Sequence, residues 1–296
     1  MNLCYRTQMR DKKILVTGGE GFIGYHLCKA LIEEGAFVTS LDINLSGRSD
    51  RRIVGVEYIF GDTNDVNIVF KDRAFDMIFH LGEYARLENS FENVKQVIHS
   101  NIKGTAEILE FWRKQMCKLI YAGSSTKFSK GLTAMEMSPY SFTKSSNSEL
   151  VKMYAKWFDL DCAITYFYNV YGEKENDQGK FATVIGIFAR KMNEKQKLQV
   201  VLPGTQKRNF THVGDTIEGT ILVAKYGKGD NYAIGSDDLY SIGEIAQMFG
   251  GEIEYISARQ GNRESSDLIT TRIKEVGWCQ KRNLKDYILN LKKESN

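Results

Sequence analysis

The sequence predicts a doubly wound α/β fold, a mainly parallel sheet with helices on both faces, and three observations carry that prediction. Short apolar runs rich in β-branched residues alternate with longer amphipathic stretches: "KILVTG", "YHLCKALIEEG", "AFVTSLD", then "FDMIFHLG", "VIHSNIKGTAEILEFWRK" and "KLIYAGSS". Alternation of this kind builds βαβ units with right-handed crossovers. The runs "ILV" and "MIF" are continuously apolar, as strands covered on both faces are. The first strand also passes into the first helix through "VTGGEGFIG", which sets Gly18, Gly21 and Gly24 three residues apart.

At 296 residues, 42% apolar and 26% charged, the chain can bury a sizeable core. A net charge of +3 from 40 basic and 37 acidic residues gives no concentrated basic footprint, so nucleic acid is not an expected partner. The five cysteines are scattered, with no CxxC pair and no histidine at ligand spacing, which argues against a metal and against a disulfide framework. A reducing cytoplasm suits them best. "MNLCYRTQMRDKK" has no apolar signal core and no run approaches the roughly 18 apolar residues of a membrane span. Residues 1–10 read as a tail outside the fold. After about Tyr166 the alternation becomes irregular, around Gly172, Gly179, Pro203, Gly204 and Gly214, before a strand-like "NYAIG" and a helix from near Ser241. The expected division is a sheet domain over 11–166 and 208–235 and a smaller α/β region over 167–207 and 236–296.

The glycine turn suits a dinucleotide. Glycine serves where backbone turns sharply, where it approaches a pyrophosphate, and where helix packs on strand; the helix N-terminus offers N–H groups and positive dipole to the phosphates. An ordinary tight turn would need the same residues, so a second signal matters. The second strand, "FVTSLDIN", ends in Asp42, a little over 20 residues past the first glycine, where a carboxylate accepts from both hydroxyls of an adenosine ribose. A 2′-phosphate would meet like charge there, which favours NAD over NADP, although Arg48 lies close in sequence. Asp62 in "FGDTND" fits a contact to the adenine amino group or, equally, a plain strand-end turn.

"SPYSFTK" places Tyr140 and Lys144 one helical turn apart, downstream of the strand-end Ser124 in "AGSST". With the glycine turn and "LD" at 41 and 42, the chain resembles the extended branch of the short-chain dehydrogenase/reductases, the NAD-dependent epimerase/dehydratase family of nucleotide-sugar enzymes, among them the UDP-galactose 4-epimerase-like members. The resemblance runs from about Lys12 to the C-terminus and includes "GDTND", "HLGEYA", "SNIKGT", "NVYG", "GTQKRNFTHVGD" and "VGW". It implies a Rossmann-type sheet, a homodimer or larger homo-oligomer, and a nucleotide-diphosphate sugar as substrate. Cofactor contacts fall on Gly18, Gly21, Phe22, Ile23, Gly24, Asp42, Asp62, Leu81 and Asn101, with Tyr140 and Lys144 at the nicotinamide end. Asn101 also reads as a helix-interior residue satisfying backbone groups.

A free phenol ionises near pH 10, so tyrosine works as a base at neutral pH only beside a stabilising cation. By resemblance Lys144 supplies it, Ser124 hydrogen-bonds the reacting hydroxyl, and Tyr140 takes its proton while the carbon delivers hydride to the nicotinamide. Asn169 and Arg208 match positions that hold the substrate diphosphate, with Arg259 as a second cation and Ser125 beside Ser124.

The departures narrow the chemistry. Dehydratases of the family carry Asp-Glu after the active-site hydroxyl residue, and Ser125 and Thr126 stand there. The cysteine and histidine of the fucose-synthase-like enzymes are missing. "KFS" replaces the usual Val-Tyr-Gly, Tyr166 an arginine, and Glu83 and Tyr84 small alanines near the sugar. Glu83 is expected either to contact sugar hydroxyls or to face water. The reading is a nucleotide-sugar 4-epimerase, with a net C4 dehydrogenase as runner-up and a non-catalytic NAD-sensing module as a third possibility.

Overall fold

The computed structural model describes residues 8–43, 51–129, 133–257 and 267–294. Seven strands form the central sheet: β1 (Lys13–Thr17), β2 (Phe37–Asp42), β3 (Val56–Phe60), β4 (Met77–His80), β5 (Lys118–Ser124), β6 (Cys162–Phe167) and, later in the chain, β11 (Gly229–Ile234). Their order is β11-β6-β5-β4-β1-β2-β3, and every pairing is parallel. This is the doubly wound, Rossmann-type sheet. Strand order reverses between β1 and β4, so the crevice at their carboxyl ends is where such a sheet binds its ligand.

The continuous apolar strands have a simple cause. Ile14 and Val16 of β1 enter one core cluster while Leu15 enters another; Met77 and Phe79 of β4 face the first and Ile78 the second. Successive side chains point to opposite faces, and both are covered. The first face carries α1 (Phe22–Glu33). The second carries α2 (Val66–Val69), the continuous helix of α3 (Val94–Val97), a wider π turn over Ile98–Lys103 and α4 (Gly104–Gln115), and then α6 (Pro139–Phe158) after the short α5 (Ala134–Met137).

The smaller region has its own core of Tyr171, Ile185, Phe188, Val200, Phe210, Ile245, Phe249 and Leu284. It is built from α7 (Val184–Asn193), α9 (Ile242–Phe249), α11 (Leu284–Glu294) and three two-stranded sheets: β7 (Val170–Tyr171) with β10 (Thr211–His212), β8 (Leu198–Val201) with β13 (Ile253–Ile256), and β9 (Lys207–Asn209) with β12 (Leu239–Ser241). Ser241 and Glu244 form a capping box that starts α9. Between β10 and β11, α8 (Val213–Tyr226) packs on the face that α1 covers.

Two expected boundaries are corrected. Met9 is buried against Leu31 and the rest of the first cluster, so the tail ends before it. Ile273 of α10 (Thr271–Glu275) and Trp278 belong to the large domain's core, and the Trp278 indole donates to the Asp215 carbonyl at 2.9 Å. The stretch is remote in sequence from that sheet, and only apolar burial brings it back.

Candidate active site

Gly18 has φ of +74°, and a Cβ there would stand 2.9 Å from the Gly82 nitrogen; a Cβ on Gly24 would stand 2.0 Å from the Gly18 carbonyl oxygen. Neither position can take a side chain without moving the turn. α1 begins at Gly21 without a side-chain cap, which leaves first-turn N–H groups to an anion. Phe22 and Ile23 open that helix, and Leu81, at the end of β4, donates its N–H to the Thr17 carbonyl at 3.2 Å beside the turn. Asp42 ends β2 and accepts from the Glu20 N–H at 3.0 Å, which aims its carboxylate across the glycine turn. These residues fit a dinucleotide: the glycines leave a turn that backbone can bring close to a pyrophosphate, and Asp42 offers a carboxylate at the end of β2.

Asp62 caps the following turn, accepting from the Asn64 N–H at 2.9 Å and from the Asn64 amide at 2.6 Å. Burial alone would raise its carboxyl, but these bonds hold it below the usual carboxylate range. Asn101 sits in the π turn with no exposed surface. Its Oδ1 accepts from the Tyr84 N–H at 2.6 Å, and its Nδ2 donates to the Tyr84 carbonyl and to Thr143 Oγ1. These bonds make Asn101 a tie between the loop after β4 and α6, in keeping with the helix-interior reading of it.

The catalytic candidates lie on α6 and at the end of β5. Ser138 caps α6, accepting from the Ser141 N–H at 3.1 Å, and Pro139 occupies the first helical turn, which places Tyr140 at the helix start and Lys144 one turn on. Lys144 Nζ donates to the Ala122 carbonyl, two residues before Ser124. That bond docks α6, which carries Tyr140 and Lys144, on β5, whose last residue is Ser124. Ser124 Oγ accepts from the Thr126 N–H at 3.3 Å and from the Thr126 hydroxyl at 3.0 Å. Ser125 and Thr126 are buried in the same turn and carry no acid or base.

Glu83 requires the clearest correction. It neither faces water nor turns outward to a sugar; its side chain is 2% exposed and pairs with the Lys144 ammonium. Its carboxylate also accepts from Thr105 Oγ1 at 3.0 Å, the Tyr121 hydroxyl at 3.1 Å and Asn147 Nδ2 at 2.8 Å. Burial would raise this carboxyl, and the charge of Lys144 reverses the effect and holds it below the ordinary value. With Thr105 donating to the carboxylate, His80 Nε2 must carry the proton that Thr105 Oγ1 accepts at 3.0 Å, and Nδ1 accepts from Thr17 Oγ1 at 2.7 Å. Burial pushes the His80 imidazole down to about 4, so it is neutral.

This buried network of Thr17, His80, Thr105, Tyr121 and Asn147 is what sequence reasoning missed. A histidine inside the apolar run "MIFHLG" was its one visible signal. The "KFS" departure also finds its reason: Lys127 Nζ reaches Asp230 at 2.6 Å and the Tyr166 hydroxyl at 2.9 Å, and Tyr166 donates to Asp230 at 2.6 Å. Lys127 and Tyr166 thus depart from the pattern together, joining the turn after β5 to β11.

On the substrate side, Asn169 Nδ2 donates to the Asn209 carbonyl at 2.8 Å, which sets it beside Arg208 on β9, whose Nη1 donates to the Lys207 carbonyl at 2.9 Å. The loop after β4 leans on this side. Arg86 donates to the Phe181 carbonyl, and the Tyr84 and Phe181 rings meet edge-on at 5.5 Å. Arg48 and Arg259 lie outside the described residues.

Fold and site together define an NAD-dependent enzyme of the extended short-chain dehydrogenase/reductase type. The family model described as "NAD dependent epimerase/dehydratase family" matches residues 14–235, and the chain belongs to that family, with NAD as its cofactor. A Methanocaldococcus jannaschii protein provisionally assigned as a UDP-glucose 4-epimerase is 30% identical over 93% of this chain and 95% of its own length. A UDP-N-acetyl-alpha-D-glucosaminuronate decarboxylase of Bacillus cytotoxicus is 31% identical over 80% of this chain and 78% of its own. Among solved structures, the UDP-glucose 4-epimerase of Thermotoga maritima with UDP-glucose superimposes with a TM-score of 0.88 at 24% identity, covering 95% of this chain and 97% of that one.

Proposed function

We propose that the protein is a nucleotide-sugar 4-epimerase: it oxidises a nucleotide-linked sugar at C4, keeps the NADH, and returns hydride to the other face of the turned keto-sugar. The observation that supports this reading is the bond from Lys144 Nζ to the Ala122 carbonyl, which docks the helix carrying Tyr140 and Lys144 on the strand that ends in Ser124. Tyr140 takes the hydroxyl proton, Ser124 holds the oxygen, and Lys144 steadies the phenolate and the ribose. Bound NAD supplies the hydride acceptor. Asn169 and Arg208 hold the diphosphate. Ser125 and Thr126, the two residues after Ser124, carry no acid or base, which speaks against elimination of water.

A second reading, a net C4 dehydrogenase, is favoured by the buried Tyr84 and by Arg86 bonded to the Phe181 carbonyl. A side wall fixed in this way hinders a sugar from turning. Incubation with UDP-glucose and its N-acetylated and uronic counterparts, followed by proton NMR, separates the two. An epimer without net NADH supports epimerisation; an accumulating ketone supports the dehydrogenase. No turnover and no NAD-dependent exchange with any of them overturns both.

A further inference from the structure

Lys144 is the cation on which the proposed base depends, and it is already paired. Its side chain is 8% exposed, and two of its three N–H donors go to Glu83 and to the Ala122 carbonyl. Glu83 is held in turn by Thr105, Tyr121 and Asn147. Four donors around one carboxylate with almost no exposed surface make a built ion pair rather than a surface contact. Abstraction of a hydroxyl proton requires no such acid, because a carboxylate against the activating cation opposes ionisation of the phenol.

The surroundings leave few other charges. Facing Glu83 are Lys144 and Asn147 from α6, Thr105 from α4, neutral His80 from β4, and Tyr121 from β5, whose phenol burial pushes well above its ordinary range. Tyr140 interacts electrostatically with Tyr121 and with the buried Arg86, whose Nε has no hydrogen-bond partner, and Lys144 follows it by one turn on the same helix.

We propose that Glu83 is a positioning residue that acts through Lys144: it pins the ammonium against the Ala122 carbonyl, offsets its charge, and so sets the pH at which Tyr140 can accept a proton. This rests on the reading of Tyr140 as the base. The paired carboxylate reduces, without removing, the help a nearby phenolate draws from the ammonium; without Glu83 the phenolate becomes the main counter-charge of a cation in a water-poor site.

The test is a charge cycle on the full chain with NAD: Glu83→Gln, Glu83→Asp, Lys144→Met, and Glu83→Gln with Lys144→Met. Each is titrated by phenolate absorbance against its own Tyr140→Phe derivative, and kcat with UDP-glucose is followed over the same pH range. The Glu83→Gln midpoint is expected about 1 to 2 pH units below wild type. Glu83→Asp stays near wild type, Lys144→Met lies above it, and the double variant returns to within about half a unit. A Glu83→Gln midpoint that coincides with wild type overturns the proposal, because a merely structural role moves melting and kcat without moving the midpoint. Should Glu83→Gln not fold, the double variant, which buries no unpaired charge, decides: a midpoint as high as that of Lys144→Met alone overturns it. The absorbance titration needs no substrate, so absent turnover on nucleotide sugars counts against the functional reading and an unmoved midpoint against this one.

Discussion

Lys144 Nζ donates to the carboxylate of Glu83, and the two side chains are 8% and 2% exposed. Removing one member of such a buried pair leaves the other charged and desolvated. Glu83→Ala is expected to cost about 3–5 kcal/mol of stability in urea unfolding, and adding Lys144→Met should recover much of the loss. The carboxyl lies below its ordinary value in the fold. Its contribution is therefore complete above the unfolded value of about 4.3 and lost as pH falls through the lower folded value.

His80 gives a second, separable acid sensitivity. Its folded value is about 4 against an ordinary 6.5, so the unfolded chain binds the extra proton between those pH values. Stability should fall by about 3 kcal/mol from pH 7 to pH 4 on this account alone. Denaturant unfolding across that range measures the slope, and His80→Asn should flatten it.

Gly24→Ala puts a methyl group 2.0 Å from the Gly18 carbonyl position. The turn must move, and NAD affinity should fall at least about tenfold, equivalent to about 1.4 kcal/mol. Fluorescence titration with NADH reads this directly; unchanged affinity would place the cofactor elsewhere.

On the proposed reading, Tyr140→Phe removes the proton acceptor without removing the ring. Turnover should drop by about 100- to 10,000-fold while NADH binding stays within about threefold. Steady-state kinetics beside the same fluorescence titration check both halves.

Val94, Ile98, Phe142 and Trp157 expose apolar surface on the adjacent helices α3 and α6 and the π turn between α3 and α4, and Trp157 is 60% exposed. A helix apolar on two faces needs two partners. The chain is expected to sediment as a homodimer through this face, and Trp157→Glu should shift it toward monomer.

Much of this arrangement is written locally. "VTGGEGFIG" requires its glycines because Gly18, Gly19 and Gly24 have no room for a Cβ, and "SPYSFTK" starts a helix because serine caps and proline fits the first turn. Both place chemistry within one short segment. Arg208 and Asn169 are brought close by contacts across 40 residues, which only their resemblance to known motifs anticipated.

The sequence by itself determined the doubly wound sheet, the dinucleotide turn and the helix carrying Tyr140 and Lys144, because periodicity, capping and glycine geometry are properties of neighbouring residues. Tertiary structure alone decided the fate of Glu83. Whether a carboxylate after β4 faces water, a sugar or a lysine 61 residues away depends on how α6 docks on β5 and what else is buried there, since desolvation and pairing act through space and leave no local pattern.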